Sequence, residues 1–176
     1  DPDPPAAADL VLMESTYGDR DHRSRGDTLD EIGRVLDKAW DDGGNLLVPS
    51  FAIGRTQELL YILNGLIDKG EIPSLPIYID SPMAIEATDL FIRHTECFDL
   101  EMRAFLVHGA CPLHFPEAYF SRSVDESRKI NEISGGAMII SASGMCDAGR
   151  IKHHLKHNLW RPESTILFVG YQAEGT

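Results

Sequence analysis

Short apolar runs recur along the chain, and each one stops at a loop of small or polar residues. These runs predict strands at residues 10–13, 45–48, 76–79, 137–140 and 165–169. Apolar runs of this length between turn-forming residues are typical of strands buried in a sheet.

The segments between the runs carry apolar residues at helical spacing. Helices are predicted over 28–41, 56–69, 82–95 and 125–133, with a further one from Arg150 to Asn158. Residues 97–123, which contain several prolines and aromatics, are expected to form an irregular lobe. Because strands that alternate with helices need crossover connections, we expect a Rossmann-like, three-layer α/β fold: a mostly parallel sheet of about five strands with helices on both faces.

Composition places the chain among single-domain globular proteins. It has 176 residues, of which 43% are hydrophobic and 25% are charged. Residues 1–9 are rich in Pro, Ala and Asp and are expected to be a linker, with the domain spanning 10–176. The chain does not begin with Met, so we expect a fragment of a longer protein. No apolar run approaches the length of about 20 residues that spans a bilayer.

The three cysteines lack the spacing of a metal site or a disulfide framework. An odd, sparse cysteine count favours reduced thiols and a cytoplasmic location.

The net charge of −12 argues against a general affinity for nucleic acid. A nucleic-acid site must therefore be a local basic cluster. Basic residues do follow the predicted strands, and open α/β sheets bind ligands at that carboxyl edge. We expect the basic residues that follow the strands to lie together at this edge. They are Arg20, His22, Arg23, Arg25, Arg55, Arg150, Lys152, His153 and His154.

The segment from Ser141 to His154 is the strongest local signal. A strand ends at a Ser/Gly-rich loop containing Ser143 and Gly144, and a helix carrying Arg150 follows. Backbone N–H groups at such a helix start favour an anion, and Arg150 adds a fork of donors, so a phosphate site is predicted. Zinc binding by His153, His154 and His157 is disfavoured because no acidic or cysteine ligand lies nearby.

Other strand ends are weaker signals. Glu14 follows the first predicted strand and either supports an active site or caps a turn. Ser50 and Arg55 flank a loop that is either a phosphate cradle or an ordinary strand–helix turn. Asp80, followed by Ser81 and Pro82, is interpreted as ordinary helix-start chemistry.

Five stretches, taken in order, resemble a known family. They are ESTYGDR, PSFAIGRTQELL, IDSPMA, SASGMCDAGRIKHHL and FVGYQAEGT. Together they are similar to the β-CASP domain of metallo-β-lactamase-fold nucleases, closest to the prokaryotic relatives of the cleavage and polyadenylation endonuclease. The resemblance runs from Leu10 to Thr176.

The resemblance implies a function and a set of site residues. In that family the β-CASP domain is a lid over a two-zinc site, and RNA enters the cleft between the domains. Glu14 matches the family's first β-CASP motif, in a supporting catalytic role. The segments that face the cleft imply RNA or phosphate contacts by Ser50, Arg55, Ser141, Ser143, Gly144, Arg150, His153 and His154.

The family's zinc ligands come from segments outside this sequence, including an HxHxDH motif that does not occur here. The resemblance thus implies an RNA-binding lid without metal ligands, inactive by itself, whose partners are RNA and a metallo-β-lactamase domain; a homodimer of the complete protein is also compatible. A non-catalytic scaffold domain is the alternative. A stand-alone nucleotide-binding module is disfavoured because GxGxxG and GxxxxGK[ST] loops are lacking.

Overall fold

The computed structural model describes residues 7–107 and 111–176. Five short strands form one sheet in the order β3-β2-β4-β1-β5, and every neighbouring pair is parallel. The strands are β1 (Leu46–Pro49), β2 (Ile77–Ile79), β3 (Ala118–Phe120), β4 (Met138–Ser141) and β5 (Thr165–Ile166). The predicted three-layer, mostly parallel α/β fold is confirmed.

The described part of the chain has six α-helices, of which the first precedes β1 and the others lie between strands. They are α1 (Arg25–Asp42), α2 (Arg55–Asp68), α3 (Pro82–Arg93), α4 (Leu100–Val107), α5 (Val124–Ile130) and α6 (Ile151–Asn158). A 3₁₀ turn covers Thr95–Cys97. No helix in the described ranges is both long enough and apolar enough to cross a membrane.

Local chemistry explains where the helices begin. The side chain of Ser24 accepts a hydrogen bond from the backbone N–H of Asp27, so α1 begins earlier than predicted. Ser81 caps α3 in the same way, and Pro82 occupies the first turn, where its missing N–H carries no cost.

Strand alternation divides the core between the two faces of the sheet. On one face, Leu46, Val48, Ile77 and Ile79 pack with the apolar stripes of α1, α2 and α3. On the other face, Leu47 and Ile139 are fully buried, and α6 packs on β1 and β4. Apolar burial of this extent is the main stabilising contribution to the domain.

Three elements differ from the sequence prediction. Residues 10–13 form no strand, and Leu10, Val11, Leu12 and Met13 are between 63% and 87% exposed. The segment predicted to be irregular, residues 97–123, contains both α4 and β3, and β3 pairs with β2. Pairing with a distant strand determines β3, and a local pattern does not contain that information. Within the predicted linker 1–9, residues 1–6 lie outside the described residues.

Candidate functional site

A buried carboxylate lies at the carboxyl end of β2. Asp80 is fully buried, and its Oδ2 accepts hydrogen bonds from Ser127 Oγ and from His154 Nε2, each at 2.6 Å. Its Oδ1 accepts from Arg150 Nη1, also at 2.6 Å. We call these four residues the Asp80 network. They join the end of β2 to α5 and to the start of α6.

The network sets the charge of Asp80. Burial raises the pKa of its carboxyl, but the hydrogen bonds from His154, Ser127 and Arg150 outweigh burial and lower it to about 2. Asp80 is therefore ionised at neutral pH. Because a carboxylate only accepts hydrogen bonds, Nε2 of His154 carries the proton that is donated to it.

Arg150 is held by more than Asp80. Its Nη1 also donates to the carbonyl oxygen of Ser121 at 3.3 Å, and its Nη2 donates to that of Arg122 at 3.2 Å. Its side chain is only 20% exposed. The sequence suggested a free cation at the sheet edge, whereas the structure shows a guanidinium that fastens the β3–α5 loop to β2.

His154 and Ser141 are similarly engaged inside the fold. The His154 side chain is fully buried, and its Nδ1 has no hydrogen-bond partner among the described residues. Ser141 Oγ donates to the carbonyl oxygen of Asp80 at 2.8 Å, and Ser141 is 1% exposed. Neither side chain reaches the surface of this structure, and the predicted contact of either with RNA stays a prediction.

The loop between β4 and α6 is shaped by close backbone packing. The N–H of Ile151 donates to the carbonyl oxygen of Ala142 at 3.1 Å, and Ser143 Oγ bonds the Asp147 carboxylate. Gly149 has a φ of +78°, and a Cβ there would overlap the Ala142 carbonyl group. A glycine is therefore required for the loop to close at this point.

The other predicted contacts on this loop and on the first turn of α6 differ in exposure. Gly144 is buried against the Phe51 ring, and its carbonyl oxygen accepts from Gln172 Nε2 at 2.7 Å. Ser143 is half-buried, and His153, on the first turn of α6, is exposed. Ser143 and His153 therefore have side chains accessible to a ligand, as does the exposed Lys152.

The β1–α2 loop places Ser50 and Arg55 differently. Ser50 is 1% exposed, and its Oγ receives a hydrogen bond from Thr56 Oγ1 at 3.1 Å. Arg55 begins α2, and its exposed guanidinium pairs with Glu58 at 2.6 Å. No hydrogen bond or ion pair of the described residues joins Arg55 to Arg150 or His154, so these contacts do not demonstrate the expected common site.

Arg55 instead lines a cavity of about 670 Å³, away from the Asp80 network. Basic residues from the first segment of the chain share its lining, namely His22, Arg23 and Arg25. Aromatic residues complete it: Tyr17 packs on the His22 ring at 4.5 Å between centroids, and Phe168 follows β5. We call this the Arg55 cavity. It gathers four basic side chains at one place on an acidic protein.

Glu14 lies on an irregular segment, three residues before Tyr17, which lines the Arg55 cavity. Its Oε2 accepts the backbone N–H of Thr16 at 2.8 Å, and this hydrogen bond lowers the pKa of the exposed carboxyl. The contact is that of a turn-capping acid, the simpler of its two predicted roles. Its supporting catalytic role stays a prediction.

Comparison with known proteins decides the family. The sequence profile of the Beta-Casp domain matches residues 56–176. The chain belongs to the Beta-Casp domain family. The resemblance to metallo-β-lactamase-fold nucleases is thereby confirmed.

Curated relatives of this Beta-Casp domain include two ribonucleases and a transcription termination factor. The chain is 40% identical over 175 residues to Ribonuclease TTHA0252 of Thermus thermophilus, covering 99% of this chain and 40% of that one. It is 36% identical over 173 residues to the transcription termination factor FttA of Methanocaldococcus jannaschii, covering 96% and 27%. It is 30% identical over 174 residues to Endoribonuclease ysh1 of Schizosaccharomyces pombe, covering 98% and 22%. The chain thus spans less than half the length of each relative.

Zinc is generally used by nucleases of this family. Within residues 7–107 and 111–176, no three His, Cys, Asp or Glu side chains cluster closely enough to hold a metal ion. The imidazole of His154 is committed to Asp80, and His153 and His157 are exposed on α6. The donor set described for this Beta-Casp domain therefore does not fit zinc.

Asp80 is the residue that sequence reasoning missed. It precedes Ser81 and Pro82, and that local context indicates only an ordinary helix start. Its partners Arg150 and His154 lie 70 and 74 residues further along the chain. Two features of the sequence point to this residue. An acid directly follows a buried strand, and a helix that begins with basic residues follows another strand at the same edge of the sheet.

Proposed function

We propose that this Beta-Casp domain is the RNA-binding lid of a zinc-dependent, RNA-processing nuclease whose complete form hydrolyses phosphodiester bonds. The names of its relatives and its family support this assignment. We place the zinc ligands in a metallo-β-lactamase domain of the complete protein. A cytoplasmic location, and a homodimer of that protein, are part of the same proposal.

The Arg55 cavity is the observation that supports the proposed binding of RNA. In a chain with a net charge of −12, it brings together His22, Arg23, Arg25 and Arg55. Phosphates supply most of the affinity in nucleic-acid binding, and guanidinium groups suit them because they donate in a fork. Tyr17 and Phe168 offer aromatic surfaces in the same cavity.

The basic side chains of the cavity are held only weakly by protein carboxylates. Arg55 pairs with Glu58, the two side chains being 41% and 55% exposed, and Arg23 pairs with the half-exposed Glu31. Exposed pairs of this kind are worth about 0–1 kcal/mol each. A phosphate can therefore replace the carboxylate at small cost. The acids Asp30, Asp37, Asp41 and Asp42 are exposed along α1.

The remaining predicted residues divide by accessibility. We propose direct RNA contacts for Arg55, Ser143 and His153, whose side chains are accessible. Ser50, Ser141, Gly144 and His154 are buried, and we propose that they shape the loops that carry these contacts. Arg150 holds the β3–α5 loop in place, and Glu14 supports the active site of the complete nuclease.

RNA-binding measurements on the 176-residue chain test this proposal. Fluorescence anisotropy with short single-stranded RNA should detect binding that weakens as salt rises, because counterions are released from phosphates. The double variant Arg23→Ala/Arg25→Ala should bind about tenfold more weakly or worse, the loss of two phosphate contacts. The double variant Arg34→Ala/Lys38→Ala removes the same charge from the outer side of α1 and should bind as the unmodified chain does.

Two outcomes would favour the other functions. A chain that binds no RNA even at low salt fits a scaffold domain. Mononucleotides that bind as tightly as short RNA would indicate a nucleotide-binding module, since they make fewer phosphate contacts. An equal loss in both double variants would mean that net charge alone drives the binding, which contradicts a site at the Arg55 cavity.

A further inference from the structure

At the β3 end of the sheet, the described residues cover one face only in part. Leu47, Ile139, Tyr78 and Tyr119 are register partners on β1, β4, β2 and β3, so their side chains form a row on one face. Leu47 and Ile139 are fully buried on the side where α6 packs, whereas Tyr119 is 50% exposed. The part of the chain that the structure describes therefore leaves this end partly open, and two tyrosines lie there.

The two tyrosines form the floor of a cavity of about 470 Å³. Their rings stack with centroids 5.3 Å apart and an interplanar angle of 28°. Residues of α5 and the segment after it form a wall, with Ile130 and Ile133 in the lining and Lys129 beside them. We call this the tyrosine pocket. A cavity of this size, apolar with a few polar groups, is typical of small-ligand sites.

A buried hydroxyl points to a polar ligand in the tyrosine pocket. Ser121, directly after β3, lines the pocket and is 5% exposed, and its Oγ has no hydrogen-bond partner among the described residues. Buried polar atoms in folded proteins are nearly always paired, because an unpaired one is destabilising. A ligand with a polar edge would satisfy this hydroxyl, while a purely apolar partner would leave it unpaired.

We propose that the tyrosine pocket binds one base of single-stranded RNA. A base is flat and stacks on tyrosine, and its edge carries donors and acceptors that match the Ser121 hydroxyl. Lys129 supplies a cation beside the pocket for a neighbouring phosphate. The Glu126 carboxylate, also in the lining, already accepts the backbone N–H groups of Arg122 and Ser123.

The pocket is connected to the sheet edge that carries the Asp80 network. The carbonyl oxygens of Ser121 and Arg122 accept the hydrogen bonds from Arg150 described above. Arg150 thus fixes the segment from which Ser121 faces the pocket. The inference rests on the proposed RNA-binding function and adds to it a base-binding subsite separate from the Arg55 cavity.

The test compares two probes on the 176-residue chain: a short single-stranded RNA, and the same ribose–phosphate backbone without bases. Tyr119→Ala should weaken binding of the base-bearing RNA by about 5- to 100-fold, the usual effect of losing one stacked base. Tyr119→Phe keeps the ring and should stay within about twofold. Trp160→Ala removes another exposed aromatic residue, 72% exposed and outside the pocket, and should have no effect. All variants should bind the abasic backbone equally.

Ser121→Ala gives an independent readout. Removing an unpaired buried hydroxyl should leave the unfolding midpoint unchanged or raise it, while RNA affinity falls about two- to tenfold. A merely structural serine would show a lowered midpoint and unchanged affinity. Photocrosslinking of the unmodified chain to RNA containing 4-thiouridine should label the peptide containing Tyr119, which tests the pocket even if Tyr119→Ala does not fold.

Several results would overturn the inference. If RNA binds but Tyr119→Ala binds it normally, and crosslinks fall elsewhere, the pocket is not a base site while the proposed function stands. A loss that is equal on the abasic backbone would contradict stacking. If Tyr119→Ala instead turns a dimer into a monomer in sedimentation, the face is an interface between copies of the chain. Failure of the unmodified chain to bind RNA would remove the proposed function and this inference together.

Discussion

The Asp80 network and the Arg55 cavity each contain an arginine that follows a strand and begins or precedes a helix. In the Asp80 network, Arg150 is 20% exposed and bonds a fully buried carboxylate and two backbone carbonyls. In the Arg55 cavity, Arg55 is 41% exposed and has one exposed carboxylate partner. Similar sequence contexts therefore place one arginine in the fold and the other at the surface.

The partners that surround each guanidinium account for this difference. A buried carboxylate left without its cation is costly, so Arg150 cannot leave Asp80 for a ligand without a large loss. An exposed pair such as that of Arg55 with Glu58 costs little to separate. We therefore assign a positioning role to Arg150 and a binding role to Arg55, and the predictions below test this division.

Removing the buried carboxylate should have the largest effect. Asp80→Ala leaves Arg150 and His154 without their acceptor, and the free energy of unfolding should fall by about 3–5 kcal/mol. Urea denaturation measures this. Asp125→Ala is the matched control, because Asp125 is exposed and pairs with Arg128 at 3.4 Å; it should change stability by less than about 0.5 kcal/mol. Similar losses in the two variants would contradict a buried role for Asp80.

A substitution in the loop that leads to Arg150 should lower the free energy of unfolding nearly as much. Gly149→Ala introduces a Cβ at positive φ that overlaps the Ala142 carbonyl group, and we expect a loss of about 3 kcal/mol. Gly33→Ala, inside α1 with open space around it, should instead stabilise the chain by about 0.5–1 kcal/mol. Thermal unfolding of both variants checks this, and a neutral Gly149→Ala would mean that the loop relaxes freely.

Acid should weaken the Asp80 network specifically. The pKa of Asp80 is lowered from its ordinary 3.8 to about 2 in the folded chain. Its contribution to stability is therefore complete above pH 3.8 and is lost as the pH falls toward 2. The difference in unfolding free energy between the unmodified chain and Asp80→Asn should shrink by about 2 kcal/mol across this range. A difference that stays constant with pH would show that the charge of Asp80 does not matter.

The sequence predicted the fold class, four of the five strands and every described helix except α4, because hydrophobic spacing and turn residues report on local structure. It did not predict the Asp80 network, whose members are brought together by the pairing of β2 with β4. The predicted strand at 10–13 is an exposed irregular segment, and β3 forms where no strand was predicted. The row formed by Tyr78 and Tyr119 likewise depends on strand register, which no local pattern specifies.

One comparison tests most directly whether Arg150 has a positioning role and Arg55 a binding role. It sets Arg55→Ala beside Arg150→Ala. Both variants are titrated with single-stranded RNA over a range of salt concentrations, below the unfolding temperature of each. We expect Arg55→Ala to bind about fivefold more weakly, with a salt slope lower by about 0.7, and to unfold normally. We expect Arg150→Ala to lose about 2–3 kcal/mol of stability and to keep the full salt slope. The opposite pattern, a reduced slope in Arg150→Ala with an unchanged one in Arg55→Ala, would contradict the account.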